Sequence, residues 1–228
     1  MSDDRATITF CFDDGWRNAH TRAAPILERH GHRGTFYVIT QMPDYMLAEG
    51  EGRMTAEQWQ DLASRGHEIG CHSRTHRRFP SCSAELVADE IEGSKDDLAR
   101  LGLAAETFAY PYGALPRSGD GPVQQAGFRA ARLYNDRSNP RTADRWRLGA
   151  HGILASHTLA DAARLIQDGI DHRSWLIFAF HQIESPAPQY GCTPELLDAI
   201  CAHVSERGIP VVTVRDGLRW LDSTATSA

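Results

Sequence analysis

Thr7-Ile8-Thr9-Phe10-Cys11-Phe12-Asp13-Asp14-Gly15 is an apolar, β-branched and aromatic run that ends abruptly in two carboxylates and a glycine. Such a run, Ala6–Phe12, reads as a buried β-strand. The Asp-Asp-Gly that follows has turn chemistry. Successive side chains at a strand end point to different faces. One of two adjacent aspartates can therefore ligate a metal while the other faces the water beside it.

The same strand-then-turn pattern recurs outward along the chain. Gly34–Ile39, His67–Gly70, Thr107–Tyr110, Phe128–Leu133, Trp175–Phe180 and Ile209–Val214 are further β-rich runs. Segments with helical spacing lie between them: Ala19–His30, a capping box at Thr55-Ala56-Glu57-Gln58 that opens a helix to about Arg65, Ala84–Leu101, Thr158–Ile170 and Thr193–Arg207. Pro194 at the first helical position and Gly208 as a stop frame the last of these. Alternation of this kind predicts an α/β fold with a largely parallel sheet. Seven or so β-α units point to a barrel, complete or incomplete, rather than an open sheet. The polar motifs fall just after strands, where α/β barrels carry their active sites.

Composition sets the outer bounds. The 228 residues are 41% hydrophobic and 24% charged, enough to bury a substantial core in one domain. A net charge of -6 with no basic run argues against a nucleic-acid partner. No stretch reads as a membrane span or an apolar signal segment. Five cysteines at irregular spacing fit a reducing compartment better than a disulfide framework. The expected location is the cytoplasm.

Three further motifs carry chemistry. His72 and His76 in Gly70-Cys71-His72-Ser73-Arg74-Thr75-His76 are four residues apart, a spacing that stacks two imidazoles on one face of a helical turn. One aspartate and two histidines make a metal triad with open positions for water and substrate, and the second aspartate is left to move a proton. Ala109-Tyr110-Pro111-Tyr112-Gly113 reads as a rigid loop that aims a backbone N–H at a developing oxyanion. His181, emerging from the apolar run Phe178-Ala179-Phe180, stands at a strand end as a candidate general acid.

In order, the set FDDG, HSRTH, YPYG and FHQ resembles the polysaccharide deacetylase family, also called the NodB-homology group or carbohydrate esterase family 4. The resemblance extends from about Thr7 to Leu221. It implies a single-domain distorted (β/α)7 barrel over residues 1–228, with its core at about 6–221. It further implies a metal held by Asp14, His72 and His76, Asp13 as catalytic base, a backbone donor at Tyr112 and a general acid at His181. There is one departure from the family pattern. The third motif usually opens with an arginine that pairs with the catalytic aspartate, and here that position is Ala109. The family also supplies an aspartate to orient the catalytic histidine, for which Asp136 and Asp144 are the candidates.

The expected function is metal-dependent removal of an N-acetyl group from an amino sugar or a polysaccharide precursor, with zinc as cofactor and cobalt or nickel as substitutes. A cytoplasmic member would act on a soluble, nucleotide-linked or lipid-linked precursor. The same fold can hydrolyse another linear or cyclic amide, such as a ureide or imide. A carbohydrate-binding module without activity is the alternative of a different class, against which the presence of both Asp13 and His181 argues. Gln41–Arg53 and Ser118–Gly121 are candidate specificity loops. The oligomeric state is not encoded in any feature of the chain.

Overall fold

All six residues of β1 (Thr7–Phe12) are buried, on two different faces. Ile8, Phe10 and Phe12 belong to an outer cluster shared with the helices, and Cys11 to an inner cluster with Tyr37, Ala109, Trp175 and Ala179. A strand covered on both faces reads as a near-continuous apolar run, as this one does. The computed structural model describes residues 5–43 and 52–223.

Six more strands flank β1: β2 (Thr35–Val38), β3 (Glu68–Cys71), β4 (Thr107–Ala109), β5 (Ala130–Arg132), β6 (His151–Gly152) and β7 (Trp175–Phe180). Every pairing is parallel, in the order β5-β4-β3-β2-β1-β7-β6. The sheet curls back on itself. Leu148 bridges to Arg132 of β5, and His151 and Gly152, just beyond it, pair with β7. The strip 148–152 thus joins the two edges, and the result is the distorted (β/α)7 barrel that the resemblance implies.

The helices begin where their caps dictate. A π-helical turn (Ala19–Ala23) leads into α1 (Ala24–Arg29). Thr55 and Gln58 form the expected capping box of α2 (Ala56–Ser64). Ser83 caps α3 (Ala84–Arg100), and α4 (Gly121–Gln125) is short. α5 (Leu159–Asp171) has a capping box from Thr158 and Asp161, and α6 (Pro194–Glu206) starts at Pro194 behind Thr193. Among the described residues no helix is long and apolar enough to cross a membrane.

The expected strand Ile209–Val214 does not form. Only Val211 bridges to a strand, at Ile8. Thr213 instead caps a helix, α7 (Val214–Asp222), by accepting the Asp216 N–H. Hydrogen bonds from the Val214 N–H to Thr35 Oγ1 and from the Arg215 N–H to the buried carboxylate of Glu68 hold this start in place. Burial holds the Glu68 carboxyl above its ordinary value. Val214, Leu218 and Leu221 then plug the amino-terminal end of the barrel.

Gly217 on α7 lies against the Trp175 indole, and a Cβ there would overlap the ring. In an open helix Gly→Ala gains up to about 1 kcal/mol. Overpacking a well-filled core typically costs about 1–3 kcal/mol. Gly217→Ala should therefore lower the melting temperature, by roughly 2–4 °C for each kcal/mol lost at this chain length. A thermal scan showing an unchanged or higher Tm would mean that the indole moves aside without cost.

Candidate active site

The inward-facing rows of the barrel continue beyond the strand ends. On β1 the row runs Thr9, Cys11, Asp13; on β5 it runs Ala130, Arg132, Tyr134; on β7 it runs Ile177, Ala179, His181. Alternation alone therefore delivers these polar groups to the carboxyl-end mouth. They line a cavity of about 400 Å³ together with Asp14, His72 and His76, within the size range of small-molecule sites. Polar groups rise from an interior otherwise kept small by alanines, which leaves room for Tyr37, Arg132 and Trp175.

Asp14, His72 and His76 meet. Asp14 Oδ1 lies 3.4 Å from Nε2 of each histidine, and one ligand atom from each residue falls within 4.8 Å of the others. The 3.4 Å spacing matches the ~3.4 Å edge of a tetrahedron with metal–ligand bonds of about 2.0–2.1 Å. The His72 Nδ1–H donates to the Ala109 carbonyl at 2.8 Å, which leaves the Nε2 lone pair for a ligand. Asp14 Oδ1 is buried with no hydrogen-bond partner among the described residues. Burial lowers His76 to about 4, with the neighbouring His72 reinforcing it, so this ring is neutral at pH 7. Burial alone would raise the Asp14 carboxyl. The adjacent His72, His181 and His76 rings outweigh it and hold the group well below the ordinary carboxylate range. A neutral imidazole and an ionised carboxylate are the forms that bind a divalent ion, so the residues present fit one.

The histidine pair does not sit on a helical turn, contrary to the reading of its spacing. Residues 72–76 form a loop in which Ser73 (φ 64°) and His76 (φ 58°) are left-handed. Local polar contacts override the helix. The His76 N–H donates to Ser73 Oγ at 3.0 Å, and the Thr75 N–H and hydroxyl both donate to the buried Glu90 of α3. Arg74 is clamped by Asp89 and Asp97. Four of the six described non-glycine residues with positive φ fall at this site: Asp14, Ser73, His76 and Tyr112. Backbone strain concentrated in this way is a mark of functional sites. The left-handed turn at Asp14 carries its carboxylate to the histidines, away from the direction that Asp13 takes.

Asp13, 3% exposed, pairs with the guanidinium of Arg132, 1% exposed. Arg132 Cζ also lies 4.7 Å from the Tyr37 ring centroid, and Asp13 keeps the guanidinium raised despite its burial. Sequence reading missed Arg132. It stands directly across from Ala109 in the β4–β5 register, so the charge absent from the third motif is supplied from the next strand. A signal was present: in Phe128-Arg129-Ala130-Ala131-Arg132-Leu133 two arginines fall in one apolar run, and whichever is buried needs a counter-ion.

Tyr112 lies in the turn Pro111–Gly113 with its ring 4.5 Å from the His76 ring, centroid to centroid. His181 reaches the cavity, flanked by Tyr134 and Tyr190. Its Nδ1 is buried without a partner among the described residues. Neither expected carboxylate orients it. Asp136 accepts the Gly152 N–H at 3.2 Å and Asp144 accepts the Trp146 N–H at 3.0 Å, each satisfying its own loop. Of the two candidate specificity loops, Gln41–Arg53 lies largely outside the described residues, and in Ser118–Gly121 the Asp120 carboxylate is held by Arg147 at 2.9 Å.

Fold and cavity together are those of an α/β barrel with its polar cluster at the carboxyl ends of the strands. Residues 1–131 match the polysaccharide deacetylase family, and the chain belongs to that family. Among curated relatives it is similar to the peptidoglycan-N-acetylmuramic acid deacetylase PdaA of Bacillus subtilis (strain 168), 26% identical over 99 residues, which cover 42% of this chain and 33% of that protein. It is also 26% identical over 114 residues to a gellan lyase of Bacillus sp, covering 49% of this chain and 4% of the lyase. The chain thus spans about a third or less of the length of these relatives. Among solved structures, a putative polysaccharide deacetylase from Mycobacterium smegmatis superposes with a TM-score of 0.74 at 14% identity, over 99% of this chain and 93% of that one. A T48 deacetylase with substrate gives 0.65 at 17%, over 98% and 94%. At these identities the likeness carries the fold.

Proposed function

We propose that this chain is a metal-dependent hydrolase that removes the N-acetyl group from an N-acetylated amino sugar. One observation carries the reading: Asp14, His72 and His76 converge on a single point beside a separately held carboxylate, Asp13. A divalent ion held by the three, zinc by the chemistry of the donor set, would supply Lewis-acid polarisation of the amide carbonyl and a water of lowered pKa. The chain's own groups do the rest. Asp13, fixed by Arg132, accepts the proton of the attacking water. The Tyr112 backbone N–H faces the developing oxyanion. His181 delivers a proton to the departing amine, and acetate and the free amino sugar leave. Acetate release from a panel of N-acetylated sugars and nucleotide sugars tests the reading, and no release from any of them by metal-loaded protein overturns it.

Metal content provides a separate check. Purified wild-type protein should hold about one divalent ion per chain, and His72→Ala and His76→Ala should each hold much less. Equal metal in all three would remove these residues from the ligand set.

His181 contacts the leaving group only as the bond breaks. His181→Ala should therefore lower kcat by about 10²-fold, at the low end of general-acid effects because no carboxylate among the described residues orients the ring, with little change in KM. A raised KM with kcat intact would make His181 a substrate-binding residue instead.

A further inference from the structure

Asp14, His72 and His76 are not held alike. Asp14 and His72 follow β1 and β3 closely, and the His72 ring is oriented by its Nδ1–H on the Ala109 carbonyl. His76 lies four residues past His72, on no strand. Its Nδ1 is buried without a partner among the described residues. A metal-bound histidine ordinarily has its second nitrogen fixed by a hydrogen bond. The place of the His76 ring therefore rests on the loop backbone that carries it, and that backbone holds two left-handed residues, Ser73 and His76. Strain of this kind persists only where the surroundings over-determine it.

α3 supplies that determination. Asp89, Glu90, Gly93 and Asp97 recur at three- and four-residue spacing and so share one face of the helix. Glu90, 2% exposed, accepts the Thr75 N–H at 2.8 Å on one oxygen and the Thr75 hydroxyl on the other. Arg74 lies across the helix, donating to Asp89 at 2.7 Å and to Asp97 at 3.1 Å. Gly93 makes the crossing possible, since a Cβ there would overlap the Arg74 side chain. The two ion pairs leave that side chain no room to step aside without breaking them. Asp97 also accepts from Thr40 Oγ1 at 2.9 Å, and the Gln41 N–H donates to the Arg74 carbonyl at 2.8 Å, so the loop is closed on its far side as well. None of these groups belongs to the converging triad.

We propose that the Glu90–Gly93–Asp97 face of α3 is a positioning element for the metal: it fixes the loop that places His76 and thereby sets the affinity for the ion. This rests on the metal-site reading above. Glu90 carries most of the effect, because both of its bonds are buried. The Arg74–Asp89 pair, with the Asp89 side chain 60% exposed, is of the kind that contributes little.

The test is the zinc dissociation constant, measured by competition with a chromogenic chelator on the full chain stripped of metal, with the melting temperature of the metal-free protein alongside. Glu90→Ala should weaken zinc binding about tenfold or more, the effect of losing a group that supports a ligand. Glu90→Gln, which keeps an acceptor for the Thr75 N–H, should lose much less. Gly217→Ala, destabilising at the opposite end of the barrel, should leave the constant unchanged, which separates positioning from general loss of stability. Where Glu90→Ala does not fold, Gly93→Ala carries the test. It should weaken zinc binding about tenfold in the wild-type background. In an Arg74→Ala background it should leave the constant unchanged and raise the melting temperature, because the clash is gone and alanine improves the helix. Wild-type affinity in Glu90→Ala or in Gly93→Ala, or a Gly93→Ala loss that persists without Arg74, overturns the positioning role; His76→Ala losing the ion in the same assay then leaves the metal-site reading standing. Zinc binding by His76→Ala as tight as by wild type, or no binding by wild type, overturns both.

Discussion

Asp13→Asn should lose roughly 10²–10⁴-fold in turnover, the range of a general base, and should keep its metal. The two aspartates differ in what surrounds them. Asp14 shares its oxygen with two histidines, whereas Asp13 faces a guanidinium and the cavity. Asparagine keeps an oxygen toward Arg132 and removes the charge and the basicity. At about 1.4 kcal/mol per decade, the loss corresponds to roughly 3–5 kcal/mol of transition-state stabilisation. Metal analysis and a thermal scan on the same sample separate lost chemistry from lost structure. Near-normal turnover with the ion bound would show that Asp13 takes no proton.

Much of this was legible in the chain because the period-2 pattern runs through the strand ends. Trp175–Phe180 forms over the residues that the pattern marks, and β1 begins one residue late. The elements that escaped are short or decided by distant partners. β6 is two residues long and exists because β7 has an open edge beside it. Ile209–Val214 has strand composition, yet Thr213 finds a cap and Val214 and Arg215 find acceptors on β2 and β3, so a helix begins instead. The site followed the same division. Asp13, Asp14, His72, His76 and His181 each follow a strand in sequence, and strand ends are where a barrel exposes chemistry. Arg132 escaped because its role is set by strand register, which no single segment encodes. The loop geometry at His72–His76 escaped because Glu90, fourteen residues beyond His76, supplies the hydrogen bonds that define it.

Removing Arg132 should be the most damaging single change. Arg132→Ala leaves the Asp13 carboxylate buried without its cation, and breaking a buried pair in this way costs about 3–5 kcal/mol of stability. Turnover should fall as well, because Asp13 is left free to leave the reacting water. The sharper experiment moves the charge. Ala109 and Arg132 are register partners on adjacent parallel strands, about 4.8 Å apart in sheets of this kind, and both face the barrel interior. A guanidinium rooted at either position can reach Asp13. Ala109→Arg alone should be harmful, since it packs a second cation into space already filled by Arg132. Combined with Arg132→Ala, the same substitution should restore much of the stability and turnover lost by Arg132→Ala. Ala109→Arg would then change sign with its background, the non-additivity expected of residues that share one partner. If the double variant is worse than Arg132→Ala alone in both melting temperature and turnover, the guanidinium at position 132 does more than balance Asp13. Its 4.7 Å contact with Tyr37 would be the place to look for that further role. If Arg132→Ala folds and turns over like the wild type, the buried pair holds Asp13 in no way that catalysis requires.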